Sequence, residues 1–177
     1  AIVAQLIQRK GHRFLLEGLA SLKGRYPGLH LEIFGNGVLD DTLRRLTAAL
    51  GLNDRVHFAG YREDLDDYLS SFDLLVHPAI REGLGVAMLK ASAVGVPVIA
   101  FDVAGAREIV EHEQTGLLVP TEDSESLAAA IARLIDDTAL RRRLGANGRV
   151  RMQKEFSIDN MVDQYVKTYQ AVLNGGR

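Results

Sequence analysis

Residues 74–101 read LLVHPAIREGLGVAMLKASAVGVPVIAF. Two apolar runs, at 74–77 and 98–101, enclose a glycine-flanked turn and a helical pattern from about Val86 to Val94. Runs that are apolar throughout, rather than alternating, are typical of parallel strands that are covered on both faces. The segment therefore predicts a strand, a crossover helix and a second strand parallel to the first.

The same alternation continues on both sides of this segment. Further strands are predicted at 1–7, 29–34, 56–58 and 116–119, with helical patterns between them. In one of these patterns, Leu39, Leu43, Leu46 and Leu50 lie at helical spacing and share one face. We expect an α/β fold, a doubly wound parallel sheet of six strands with helices on both faces.

The last third of the chain is predicted to be a C-terminal helical tail. Apolar residues mark one face over 124–136, and Ser157 offers an N-cap to a final helix. That helix carries an apolar stripe, which we assign to the core: Ile158, Met161, Val162, Tyr165, Val166 and Tyr169. The arginine-rich stretch at 139–155 has acidic residues around it, which favours a solvated helix face over a phosphate or RNA contact. No linker separates the tail, so 1–177 is expected to be one domain.

Composition excludes several classes of function. The 177 residues carry 21 Lys+Arg and 23 Asp+Glu, and this net charge of −2 gives no electrostatic case for nucleic-acid binding. The chain has no cysteine, which excludes disulfides and a thiolate metal site and suits a reducing, cytoplasmic setting. No apolar run approaches the roughly 20 residues of a membrane span. Because the chain opens on Ala1 within an apolar run, we expect it to be part of a longer protein.

Glycines cluster directly after the predicted strands, where the carboxyl ends of parallel strands form a ligand crevice. In the segment Glu82-Gly83-Leu84-Gly85-Val86, a glycine turn precedes a helix whose free N–H groups and positive dipole end favour an anion. This arrangement predicts a phosphate-binding turn. For any single glycine, the alternative is a tight turn that needs a positive φ.

Other nucleotide and metal motifs are missing from the sequence. Gly35-Asn36-Gly37 lacks the further glycine of a dinucleotide fingerprint, since Asp40 stands there, and no P-loop occurs. The five histidines are too far apart in sequence for a local zinc motif. One of them, His77, precedes Pro78 at a strand end and is interpreted as a turn residue, with a ligand contact as the alternative.

With these segments in order, the chain resembles the C-terminal, donor-binding half of the group 1 retaining glycosyltransferases over essentially all its length. That family has the GT-B fold, in which two Rossmann-like domains face a cleft. Its hallmark is a Glu followed by Gly-Phe/Leu-Gly, a second Glu eight positions after the first, and then Gly-x-Pro-Val-Ile-Ala. Here Glu82 and Gly83 to Gly85 match the first part, and Gly95 to Ala100 match the last. Further matches follow the first three strands: Lys10-Gly11, Gly35-Asn36-Gly37 and Phe58-Ala59-Gly60-Tyr61.

The resemblance implies two catalytic residues. Glu82 would contact hydroxyls of the transferred sugar, and Lys10 would neutralise the leaving phosphate. Fixed donors aimed at the phosphate lower the barrier to breaking a glycosyl–phosphate bond, because negative charge develops there. Neither a metal nor a cofactor is expected.

The resemblance also implies a set of donor-binding residues. Backbone N–H groups of the turn at Gly83, Leu84, Gly85 and Val86 would bind the diphosphate. The nucleotide base would lie near Tyr61 and Arg62. The remaining predicted donor-binding residues are Gln5, Gly35, Gly37 and Lys90.

Two residues depart from the family's pattern. Lys90 replaces the second Glu, which in the family hydrogen-bonds the ribose hydroxyls, and Gln5 stands where the family usually has Arg. A lysine donates hydrogen bonds but cannot accept them as a carboxylate does. Taken without the resemblance, Glu82 could be a helix cap, Lys10 and Lys90 solvated lysines, and Tyr61 a loop-packing residue.

The resemblance implies retaining transfer from a UDP-, GDP- or ADP-linked sugar. The present chain is expected to be inactive alone, because the N-terminal acceptor domain of the same protein is absent. Any attachment to the inner membrane face would be made through that absent half. The resemblance also offers an alternative for the apolar stripe of the last helix, since in the family this tail packs back toward the other domain. The alternative is a degenerate glycosyltransferase-fold module used for protein interaction. An unrelated flavodoxin-like domain fits the periodicity but not the ordered motifs.

Overall fold

Strands and helices alternate along residues 1–175, the part of the chain that the computed structural model describes. The strands are β1 Ile2–Val3, β2 Leu31–Phe34, β3 Val56–Gly60, β4 Leu75–His77, β5 Val98–Phe101 and β6 Gly116–Val119. The helices are α1 His12–Leu22, α2 Asp40–Ala49, α3 Leu65–Tyr68, α4 Val86–Ala93, α5 Ala104–Ile109, α6 Ser124–Asp136, α7 Thr138–Glu155 and α8 Ile158–Gly175. All six predicted strands are therefore present, and the fold is an α/β, Rossmann-like one.

The strands form two parallel sheets of three, in the orders β1-β2-β3 and β4-β5-β6. The expectation of one continuous six-stranded sheet is therefore wrong. The two sheets meet where β1 adjoins β4. There the Val76 N–H donates to the Ala1 carbonyl over 2.9 Å, and the Ala1 amino group donates to the Leu74 carbonyl over 2.7 Å. Because β1 is only two residues long, this contact does not extend into a ladder.

The predicted strand at 1–7 ends at Val3, because the chain bends towards the loop that follows β2. The Leu6 N–H donates to the Asn36 carbonyl over 3.0 Å, and a short 3₁₀ turn follows at Gln8–Lys10. The bend carries Gln5 and Lys10 to the carboxyl ends of the strands, where the predicted site lies.

The core lies on both faces of the β4-β5-β6 sheet, since successive side chains of a strand point to opposite faces. Along β5, Ile99 and Phe101 pack into one apolar cluster, and Val98 and Ala100 pack into another. Helices α1, α2 and α6 pack in the first cluster, and α4 and α5 pack in the second. Helix α7 contributes to both, with Leu140 and Leu144 in the first cluster and Met152 in the second. The prediction of helices on both faces is confirmed.

The C-terminal tail is helical as predicted, and the Ser157 hydroxyl caps α8 by accepting from the Asn160 N–H over 3.2 Å. The assignment of its apolar stripe to the core is wrong. No residue of α8 is buried, and Tyr165 and Tyr169 are 57% and 63% exposed. Helical periodicity identifies an apolar face but does not say which surface covers it.

The arginine-rich helix α7 matches its prediction only in part. Arg142 and Arg149 are exposed, as a solvated face requires. The Arg151 side chain, in contrast, lies mostly buried against α5 and donates to the carbonyls of Glu108 and Ile109 over 3.0 and 2.7 Å.

Candidate functional site

A cavity of about 390 Å³ opens at the carboxyl ends of β1, β3 and β4, and we refer to it as the β1–β4 cavity. It brings together nine of the twelve predicted site residues: Gln5, Lys10, Tyr61, Arg62, Glu82, Leu84, Gly85, Val86 and Lys90. Eight further residues line it: Val3, Ala4, Arg9, Glu63, Leu65, Asp66, His77 and Ala87. Residues separated by up to 87 positions in the sequence thus share one site.

The other three predicted residues, Gly35, Gly37 and Gly83, do not line this cavity. Gly35 has a φ of +135°, and a Cβ there would collide with the Ala4 carbonyl. A Cβ on Gly37 would collide in the same way with the backbone of Leu6. These two glycines therefore let the β2 loop approach the bent segment after β1, which is a structural role.

Within the cavity, the Glu82 carboxylate contacts the side chains of Lys10 and His77. Its Oε2 atom accepts from Lys10 Nζ over 2.5 Å and from His77 Nε2 over 2.6 Å. The side chains of Lys10, Glu82 and His77 are only 12%, 7% and 4% exposed. The hydrogen bond from His77, and then that from Lys10, lowers the pKa of Glu82 to about 2 against the opposing effect of burial. The carboxylate is therefore ionised at neutral pH.

Close backbone contact between two loops builds this arrangement. Gly11 follows Lys10 at a φ of +70°, and a Cβ there would collide with the Pro78 carbonyl. The Ile80 N–H donates to the Arg9 carbonyl over 2.8 Å. The loop after β1 is thereby held against the loop after β4, so that Lys10 reaches Glu82.

The turn before α4 presents backbone donors to the cavity. The Gly83 N–H is already used by its neighbour Glu82, and the Val86 N–H donates to the Leu84 carbonyl. Within the described chain, the N–H groups of Leu84, Gly85 and Ala87 donate to no protein acceptor. No side chain caps α4, whose N-cap is Gly85. An open helix N-terminus of this kind binds anions.

The charged side chains of the cavity differ in how far they are committed to partners. Lys90 Nζ lies 2.8 Å from both carboxylate oxygens of Asp66, and Arg62 pairs with Asp64 over 2.7 and 2.8 Å. Lys10 is paired with Glu82, as described above. Arg9 forms no ion pair or side-chain hydrogen bond within residues 1–175. Among the described residues that line the cavity, Arg9 is therefore the basic side chain left available to an anionic ligand.

Three functional candidates were missed in the sequence, and for a fourth, His77, a turn role was placed ahead of a ligand contact. Arg9 had a signal, because it precedes Lys10 in the same turn, and Ala87 follows the glycine turn by two positions. No pattern in the sequence pointed to Asp66, because it lies beside Lys90 only in the folded chain. His77 was interpreted as a turn residue, and the structure instead places it on Glu82.

The described residues bring no three His, Asp or Glu side chains together in a way that could hold a metal ion. Among the helices described, none is long and apolar enough to cross a membrane. A separate cavity, also of about 390 Å³, lies between α1 and α2 and is lined in part by Arg13, Phe14 and Thr42.

The parallel strands with their crossover helices, and the unpartnered backbone donors at the carboxyl ends of the strands, define the class as Rossmann-like α/β domains. The chain belongs to one family of that class, because the model of glycosyl transferases group 1 matches residues 1–151. That match covers the whole β1–β4 cavity.

Relatives and solved structures agree with this assignment. The chain is 32% identical over 165 residues, 93% of its length, to the lipopolysaccharide core biosynthesis glycosyltransferase LpsE of Rhizobium meliloti. It is 34% identical over 168 residues to a GDP-mannose-dependent alpha-(1-6)-phosphatidylinositol monomannoside mannosyltransferase of Mycobacterium tuberculosis. Its fold matches Anabaena Alr3699/HepE, solved in complex with UDP, with a TM-score of 0.90 and 27% identity over 96% of the chain. The chain spans 47%, 44% and 48% of these three proteins, about half of each.

Proposed function

We propose that the chain is the donor-binding half of a retaining glycosyltransferase and that a nucleotide-diphosphate sugar binds in the β1–β4 cavity. The observation that carries the proposal is the buried Lys10–Glu82–His77 group beside the open N-terminus of α4. The open N-terminus of α4 suits a diphosphate, and the Glu82 carboxylate suits the hydroxyls of a sugar. Alr3699/HepE, which has the same fold, was solved with UDP and also with UDP-glucose.

The diphosphate is proposed to lie at the start of α4. The N–H groups of Leu84, Gly85 and Ala87 are the donors available there, and the helix dipole adds a positive end. Lys10 lines the same cavity. Its ammonium has three donor hydrogens, of which one is used by Glu82, so that two remain for phosphate oxygens.

In the proposed reaction, the bond between the sugar C1 and the phosphate oxygen breaks, and the bonding electrons leave with the diphosphate. Lys10 and the α4 amides stabilise the negative charge that develops on the leaving group. Glu82 accepts hydrogen bonds from sugar hydroxyls and so holds the ring in place. The acceptor hydroxyl is proposed to attack on the face that the phosphate leaves and to give its proton to the departing phosphate oxygen, which retains the configuration at C1. We propose that this arrangement works without a divalent metal or a cofactor.

The acceptor is proposed to bind to a second, N-terminal domain of the same protein, and the present chain alone is proposed to transfer nothing. The half-length match to the relatives supports this proposal, as does the uncovered apolar face of α8. That face carries Met161, Tyr165 and Tyr169, each at least 50% exposed. A cytoplasmic setting, with any membrane contact made through the other half, is proposed on the absence of cysteine.

Calorimetric titration of the chain with UDP, GDP and ADP tests the proposal. Binding of one diphosphate, at a dissociation constant of roughly 0.1–1 mM, would support it and identify the base. The mannosyltransferase named above is GDP-mannose-dependent, whereas Alr3699/HepE was solved with UDP, so the base is left to this measurement. No binding by a folded sample would contradict the proposal and favour a non-catalytic module whose cavity has lost its ligand. A matched variant, Lys10→Met, is expected to weaken whatever binding is seen.

A further inference from the structure

We propose that His77 is a positioning residue that holds one oxygen of Glu82, so that the other oxygen stays available to the sugar. This inference rests on the proposed function and extends it to a residue that does not itself touch the donor. Glu82 Oε2 accepts two hydrogen bonds, one from Lys10 Nζ over 2.5 Å and one from His77 Nε2 over 2.6 Å.

The two oxygens of Glu82 are used unequally. Oε2 accepts from two side chains that are themselves almost fully buried. Among residues 1–175, the Gly83 N–H is the one donor to Oε1, over 3.2 Å. Each carboxylate oxygen has two lone pairs, so Oε1 retains the capacity to accept from a hydroxyl. The carboxylate is thus fixed through one oxygen and open at the other.

The chemistry of the pair fixes the tautomer of His77. An ionised carboxylate can only accept, so the hydrogen in the His77–Glu82 bond belongs to Nε2. The Nδ1 atom of His77 is buried and has no partner in the described chain. A buried lone pair without a partner is better tolerated than a buried N–H, which agrees with hydrogen on Nε2 alone. His77 is therefore a donor with one fixed target.

His77 and Lys10 are not redundant in this arrangement. Lys10 is proposed to serve the phosphate as well, and its long side chain has several rotatable bonds. His77 directly follows two buried strand residues, and its ring is 96% buried, so its orientation is fixed by the fold. Glu82 lies on a loop that lacks regular secondary structure, which makes a rigid partner necessary if the carboxylate is to keep one orientation.

The chain offers a matched control for this inference. His12 is another buried histidine, 2% exposed, and neither of its ring nitrogens has a partner in the described chain. Leucine has nearly the volume of histidine, so His77→Leu and His12→Leu both remove a buried imidazole. Only the first removes a hydrogen bond to Glu82. His77→Gln returns a side-chain N–H donor.

The experiment measures affinities for a nucleoside diphosphate and for its sugar ester, using UDP with UDP-glucose, GDP with GDP-mannose and ADP with ADP-glucose. For the base that binds, His77→Leu is expected to weaken binding of the sugar ester about tenfold relative to binding of the free diphosphate. The reason is that the displaced Glu82 carboxylate loses one hydrogen bond from a sugar hydroxyl, and a hydrogen bond to a charged group has about that effect. His12→Leu is expected to leave that ratio within about twofold of the parent, and His77→Gln to restore most of it.

An unchanged ratio in His77→Leu, with the diphosphate still bound, would overturn the positioning role and leave the proposed function standing. Absence of binding by the parent chain would instead overturn the proposed function. In that case nitrogen NMR of His77 still tests the local claim. We expect hydrogen on Nε2 in the parent and a clear shift of that nitrogen in Glu82→Gln, and hydrogen on Nδ1 would overturn the claim.

Discussion

The Lys90 ammonium lies 2.8 Å from each carboxylate oxygen of Asp66, and this ion pair joins α4 to α3 at the β1–β4 cavity. Its side chains are 48% and 60% exposed, and exposed pairs contribute little to stability. The pair is relevant to ligand binding instead, because Asp66 places a carboxylate close to residue 90, the position at which the family carries Glu. Lys90 thus neither adds a free cation to the cavity nor leaves it without an acceptor.

The Lys90–Asp66 pair predicts an order of diphosphate affinities. Asp66→Asn frees the ammonium and is expected to tighten diphosphate binding about threefold at low salt, whereas Lys90→Glu places two carboxylates together and weakens it. The double variant Asp66→Lys/Lys90→Glu restores an ion pair and is expected to lie near the parent. Titrations at low and high salt measure these effects, and equal affinities in all four chains would contradict the prediction.

Arg9 is predicted to be a phosphate contact. It lines the cavity, and within residues 1–175 its guanidinium has no carboxylate partner, so it is available to a ligand. Arg9→Ala is expected to weaken diphosphate binding roughly fivefold and to reduce its salt dependence, with little effect on unfolding. Arg142→Ala, an exposed arginine of α7, is the control. Similar affinities in the two variants would show that Arg9 does not reach the ligand.

Buried His12 is predicted to make the chain sensitive to acid. Burial lowers the pKa of His12 to about 4, with smaller effects of His77 and Lys10. The unfolded chain, with a pKa near 6.5, binds the proton more readily, so stability falls as the pH falls from 6.5 towards 4. Relative to its stability at pH 7, the parent is expected to lose roughly 2–3 kcal/mol at pH 4 through this group.

Urea unfolding of the parent and of His12→Leu across this pH range tests the claim. The variant is expected to show a flatter profile between pH 6.5 and 4. Below that range both proteins lose the stabilising contribution of Glu82. Because the pKa of Glu82 is lowered from 4.5 to about 2, its carboxylate stabilises the fold above pH 4.5, and this contribution is lost by about pH 2. Parallel profiles between pH 6.5 and 4 would exclude His12 as the cause.

The exposed face of α8 is predicted to contribute little to the stability of this chain. Tyr165→Ser with Tyr169→Ser is expected to change the free energy of unfolding by about 0.5 kcal/mol or less, because neither side chain is buried. Leu144→Ala in α7, which is fully buried, is expected to cost about 2–5 kcal/mol. In a protein that also carries the proposed N-terminal domain, the same tyrosine changes are expected to lower the unfolding temperature. If they destabilise the present chain as Leu144→Ala does, α8 belongs to its core.

The sequence predicted most of the fold because local patterns determine strands and helices. Fully apolar runs identified β5 and β6 with their observed bounds, and the spacing of Leu127, Ile131 and Leu134 identified α6. The sequence did not predict the end of β1 at Val3, because the apolar residues that follow it pack against a loop and do not pair with a neighbouring strand. The division into two sheets follows from that short strand, and pairing between strands is not a local property.

The site was predictable where its residues are adjacent in the chain and not where the fold brings them together. The glycine turn and Glu82 lie in one segment, so the anion-binding geometry was expected. The contacts from His77 to Glu82 and from Asp66 to Lys90 depend on loop conformations and on two elements that meet in space. Gly35 and Gly37 follow a strand like the other glycines, but their role in loop packing emerged only from the backbone that surrounds them.

A nucleoside diphosphate is proposed to bind at the N-terminus of α4, beside Lys10. Nitrogen–proton NMR of the chain, titrated with UDP, GDP and ADP, locates the ligand directly. We predict that one of the three shifts the backbone amides of Leu84, Gly85 and Ala87 most, together with that of Lys10. Unchanged spectra at several millimolar of each diphosphate, or shifts centred on Arg13 and Thr42 in the separate α1–α2 cavity, would contradict the account.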